Sequence, residues 1–144
     1  MITAVAFAAF VVACPEHDAA TTAQSLSKEP AAVSVDELAS LQAKSVKEKK
    51  ALFVFDANRP ETRADKGVIP GAVLLPSSET YDLALLPKDK GAPAVFYCAN
   101  ERCSASTKAA KRALDAGYTN VKVLPQGIFG WVKAGKAVTK QPQA

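Results

Sequence analysis

The stretch Phe96-Tyr97-Cys98-Ala99-Asn100-Glu101-Arg102-Cys103-Ser104-Ala105-Ser106 decides how the chain is read. The apolar, β-rich run Ala94-Val95-Phe96-Tyr97 stops at a cysteine. Four mostly polar residues and a second cysteine follow, and then an alanine-rich stretch with helical spacing. A thiol between the end of a strand and the start of a helix sits where backbone N–H groups converge and the helix dipole is positive. Both favour the thiolate, the reactive form of cysteine. A buried structural cysteine is the competing reading, since free cysteine is among the most buried residue types. Position alone leaves the two level.

Outward from this stretch, apolar runs and helical patterns alternate. Ala51-Leu52-Phe53-Val54-Phe55 is a continuous apolar run ending at Asp56. Such a run suits a strand buried on both faces of a parallel sheet. Ala72-Val73-Leu74-Leu75 and Val121-Lys122-Val123-Leu124 read as two further strands. Ser34-Val35-Asp36-Glu37 fits a capping box, with Ser34 as the N-cap and Glu37 reaching back. A short helix is expected over 80–85, a longer one over 104–116 ended by Gly117, and a last one over 127–134 carrying Trp131. This alternation predicts an α/β fold, a single domain with a central, mostly parallel sheet and helices on both faces. Reactive groups in such sheets collect at the carboxyl ends of strands. Asp56 and Cys98 each follow a predicted strand, so the same edge holds both.

The ends read differently. Met1 to Ala13 is an uncharged apolar run, too short to span a bilayer. It reads as a signal peptide, residues 1–13. Its end, Val11-Val12-Ala13-Cys14, resembles a bacterial lipoprotein signal, although no Lys or Arg precedes the apolar run. The resemblance implies a lipid on Cys14, and so a periplasmic or cell-envelope protein held to the membrane through that anchor alone. Residues 14–32 lack apolar periodicity and read as a flexible tether. His17, the only histidine, lies there, so a His-based catalytic pair or a multi-histidine metal site has no material. The domain is expected over 33–137, and the polar tail 138–144 is expected to fray. The formal net charge of +4 is mild and spread along the chain. No arginine–aromatic interleaving points to nucleic acid.

Four motifs in order give a family resemblance. Phe55-Asp56-Ala57-Asn58, Gly67-Val68-Ile69-Pro70-Gly71-Ala72 and Tyr97-Cys98 are the first three. The fourth joins Gly117-Tyr118-Thr119-Asn120-Val121-Lys122-Val123-Leu124 to Gln126-Gly127-Ile128-Phe129-Gly130-Trp131. Together they resemble a rhodanese domain, the sulfurtransferase fold, over about Val33 to Ala137. The resemblance implies a Cys98 thiolate that takes the outer sulfur of a small anionic donor such as thiosulfate. The resulting persulfide passes its sulfur to a thiol, a cyanide-like nucleophile or a protein acceptor. It implies an anion cradle formed by Ala99, Asn100, Glu101, Arg102, Cys103 and Ser104, with N–H groups aimed at the sulfur. It requires no metal and no organic cofactor. Asp56 and Arg59 are the expected supporting residues, Asp56 through a hydrogen bond that orders the loop.

The chain departs from the family pattern in specific places. Glu101 stands where the loop usually has glycine, and Cys103 where many members have the arginine that helps bind the donor. Asn58 replaces the arginine of the Asp-x-Arg motif, with Arg59 next to it. Cysteine in place of the loop arginine rules against a phosphatase loop, which needs a guanidinium to clamp phosphate. Setting Cys14 aside, the remaining cysteines are both in the loop, which opens a second reading as a dithiol/disulfide redox protein. Cysteines on opposite limbs of a cradle face a distance limit for pairing. A non-catalytic binding module and a Cu(I)–thiolate site are further alternatives, the latter weakened by the missing histidines.

Overall fold

Ala94–Tyr97 forms β4, and all four of its residues are buried. A strand apolar on both sides must be covered on both sides, and that requirement organises the molecule. The computed structural model describes residues 28–140. The signal segment 1–13, Cys14, the tether through 27 and the last four residues lie outside the described residues. The elements in chain order are β1 (Ala31–Ala32), α1 (Val35–Glu48), β2 (Phe53–Asp56), α2 (Pro60–Lys66) and β3 (Val73–Leu74). A 3-10 turn (Leu83–Leu85), β4, α3 (Ala105–Asp115), β5 (Val121–Leu124) and α4 (Gly127–Lys133) follow. The five strands form one sheet in the order β1-β5-β4-β2-β3, with every pair parallel.

Strand side chains alternate between faces, so β4 feeds two cores. Phe55 and Phe96 stack at 4.8 Å between ring centroids on the face covered by α3. Ala109, Ala110 and Ala113 meet them there, and their small side chains let the helix lie close to the sheet. Val54, Val95 and Tyr97 point to the other face, against Leu38 of α1 and Ile128 and Trp131 of α4. Helices therefore cover both faces, as the alternation of elements implied.

Local signals explain where elements start and stop. Ser34 Oγ accepts from Glu37 N at 3.2 Å, the first half of the expected capping box. The Glu37 carboxylate does not reach back; it pairs with Lys122 of β5. Gly117, at φ +93°, ends α3. Gly117 N donates to Leu114 O and Tyr118 N to Ala113 O, the two bonds of a Schellman cap.

Three expectations change. The helix expected over 80–85 shrinks to the 3-10 turn at Leu83–Leu85, capped by Asp82. The tether expectation ran through Ala32, but Ala31 and Ala32 pair with Lys122 and Val123 of β5. Their backbone satisfies the β5 edge, so side-chain pattern is irrelevant to the pairing. The tail expectation ran from 138, but Val138 packs against the α1/α4 core and Thr139 exchanges two backbone hydrogen bonds with Val68. No helix among the described residues is long and apolar enough to cross a membrane.

Candidate active site

Parallel register sets Asp56 of β2 beside Tyr97 of β4, and Tyr97 beside Leu124 of β5. The residues just past this row share the carboxyl edge of the sheet. Asp56 is fully buried there. It accepts from Tyr97 Oη at 2.5 Å, Asn58 N at 2.7 Å and Arg63 Nε at 3.0 Å. Arg63 also donates to the carbonyls of Asp56 and Leu75. The carboxylate is thus both paired and hydrogen-bonded, which a buried charge requires. Burial first, and then the Asp56 charge, push the Tyr97 hydroxyl far above its ordinary range, so it remains a donor. Tyr97 Oη also accepts from Ile69 N at 3.0 Å, tying the Gly67–Ala72 turn to the end of β4.

Asp56 is expected either to cap the turn after β2 or to order the cysteine loop through a hydrogen bond, or to do both, with Arg59 as a second supporting residue. It accepts from Asn58 N in that turn and from Tyr97, the residue before Cys98, and its cation is Arg63. Arg59 occupies the N-cap of α2 and turns toward the cleft. Arg63 escaped the sequence reading because α2 is polar, buries no residue and shows no apolar period. The usable signal was Pro60, which favours the first turn of a helix and places Arg63 one turn on.

Cys98 follows β4 and is 1% exposed. Its sulfur is joined to Cys103 in a disulfide, with Cα atoms 6.3 Å apart. That separation lies within the usual range, so the loop closes without the movement that the distance limit suggested. Around Cys98 Sγ lie Ser106 Oγ at 3.6 Å, Cys103 O at 3.2 Å and Asn100 O at 4.0 Å. Two N–H groups of the expected cradle bond within the loop in this disulfide-closed form: the Asn100 carbonyl accepts from Cys103 N at 3.0 Å and its Oδ1 from Arg102 N at 3.0 Å. Favourable partners for a negative sulfur come from α3, through the Ser106 hydroxyl and the positive end of the helix. Ser104 stands at the N-cap of α3, and its side chain caps nothing.

The base of the loop is held by α4. Ile128 N donates to Cys98 O at 2.8 Å and Phe129 N to Ala99 O at 3.0 Å. Gly127, at φ +57°, makes this approach possible. A Cβ there would strike the Cys98 carbonyl and come within 2.6 Å of Ala99 backbone atoms.

A cleft of about 760 Å³ opens beside the loop. Arg59, Asn58, Arg102, Cys103, Ser104 and Lys108 are among its walls. Cys98 and Glu101 are not; Glu101 faces a shallower depression on the α4 side of the loop. Within the cleft Lys108 pairs with Glu79, and Arg63 with Asp56. Arg59 and Arg102 form no ion pair among the described residues, so the cleft carries net positive charge. No cluster of three or more metal-ligating side chains occurs among the described residues.

The thiosulfate sulfurtransferase of Pseudomonas aeruginosa superposes with a TM-score of 0.61 at 23% identity, over 78% of this chain and 21% of that one. A Bacillus halodurans protein superposes at 0.59 with 24% identity, over 76% of each chain. A rhodanese-like domain from Anabaena does so at 0.56 with 20% identity, over 81% of this chain and 87% of that one. At these identities the likeness is one of fold. A comparison with curated proteins finds no match. The model of the rhodanese-like domain family matches residues 34–134. That span runs from the cap of α1 to the end of α4 and omits only β1, and the chain belongs to the rhodanese-like family.

Proposed function

We propose that the domain is a sulfurtransferase or persulfide carrier that works through reduced Cys98. The observation that carries this reading is the placement of Cys98 at the end of β4, with Ser106 Oγ 3.6 Å from its sulfur at the start of α3. A thiolate there attacks the outer sulfur of thiosulfate; the S–S bond of the donor breaks and sulfite leaves with the electron pair. The enzyme persulfide then gives its outer sulfur to a thiol or cyanide-like acceptor, or to a protein thiol. Arg59 and Arg102 supply positive charge for an anionic donor in the absence of the usual loop arginine. Steady-state sulfur transfer from thiosulfate to cyanide under reducing conditions tests the reading. Cys98→Ser should abolish turnover with the fold retained, and turnover equal to the parent's would refute the role of Cys98.

The disulfide favours a second reading, a dithiol/disulfide redox protein. The two readings share one site and differ in the oxidation state that does the work. A lipid on Cys14 would hold the domain at the cell envelope, where an oxidising compartment preserves such a bond.

A further inference from the structure

The two sulfurs of the disulfide occupy unlike surroundings. Cys98 is buried at 1% exposure and does not reach the cleft. Cys103 is partly exposed and lines the cleft. Thiol–disulfide exchange requires the attacking sulfur to approach along the extension of the S–S bond, on the side away from the leaving sulfur. Attack on Cys98 would therefore have to come from the protein interior. Attack on Cys103 can come from the cleft.

We propose that Cys103 is the electrophilic sulfur through which the oxidised site is opened, and that small thiols carrying extra negative charge open it best. An incoming thiolate forms a bond to Cys103 Sγ as the Cys98–Cys103 bond breaks. The electron pair stays on Cys98 Sγ, which leaves as a thiolate beside the Ser106 hydroxyl and the start of α3. A second equivalent of thiol then attacks the mixed disulfide, releasing Cys103 and the disulfide of the reagent. Two electrons pass from two thiols to the protein, and Cys98 is delivered in the reduced form. Extra negative charge on the thiol is favoured because Arg59 and Arg102 line the approach without an ion pair among the described residues.

Bond opening is separable from sulfur transfer, because it is read on the protein and needs no sulfur donor. The oxidised full-length protein is exposed briefly to glutathione, alkylated with iodoacetamide and digested with trypsin. Cleavage after Arg102 puts Cys98 and Cys103 on different peptides, and Cys14 on a third. Glutathione on Cys103 and alkylation on Cys98, in about tenfold excess over the reverse pattern, is the expected result. Glutathione on Cys98, or an equal split, would overturn the assignment. For the charge dependence, opening rates for mercaptoethanesulfonate and mercaptoethanol are compared per unit thiolate at low salt. The sulfonate should be about tenfold faster, with the advantage reduced by salt and by Arg102→Ala. Equal rates would remove the preference for extra negative charge.

Discussion

Tyr97 joins three parts of the molecule through one hydroxyl, donating to Asp56 and accepting from Ile69 N. Tyr97→Phe leaves a buried N–H and part of a buried carboxylate without a partner. The expected loss is about 1–3 kcal/mol of unfolding free energy, read by denaturant titration. A stability change within error would mean that the network relaxes around the missing oxygen. At this scale the sequence was informative where chemistry coincides with a boundary. Asp56 and Cys98 stand out because apolar runs stop at them. Arg63 and Ser106 do not, because each gains its role only when helix and strand meet in space. The turn in which Asn100 Oδ1 accepts from Arg102 N was not legible either, since it depends on the loop's backbone path.

Among the elements, α4 bears most directly on the loop. Its first N–H groups hold the carbonyls of Cys98 and Ala99, and Gly127 provides the clearance. Gly127→Ala adds a methyl group against that backbone and strains a left-handed φ. It should cost about 1–3 kcal/mol and depress sulfur transfer, because the loop must move away from α4. Thermal denaturation together with initial rates checks this; full activity with parental stability would exclude α4 as the support. β2 and β4 were legible because parallel strands buried on both faces appear as unbroken apolar runs. Both β4 and β5 match their expected limits. The element that went unread, α2, is polar all round, and β1 is two alanines held by backbone pairing alone.

For the molecule as a whole, the buried tyrosines tie stability to alkaline pH. Burial, with a smaller opposing effect from Arg112, raises the Tyr81 hydroxyl from 10.0 to about 12. The folded state therefore keeps a proton that the unfolded chain releases. The associated stability is complete below pH 10 and is lost as pH rises toward 12. Tyr81→Phe should flatten the decline of unfolding free energy over that interval, and an unchanged slope would place the titration elsewhere. The fold class was legible at this scale because alternation of elements dictates layers. The ends of the domain were not, since Thr139 is bridged to Val68 and Val138 packs on the α1/α4 core, contacts between segments distant in sequence.

The central claim is that Cys98 carries sulfur. Intact-mass spectrometry of the reduced protein after treatment with thiosulfate, and separately with glutathione persulfide, tests it most directly. The parent should gain the mass of one sulfur atom with at least one of these donors, Cys103→Ser should retain the gain, and Cys98→Ser should show none. No added sulfur on the parent from either donor, or the same gain on Cys98→Ser, would contradict the account.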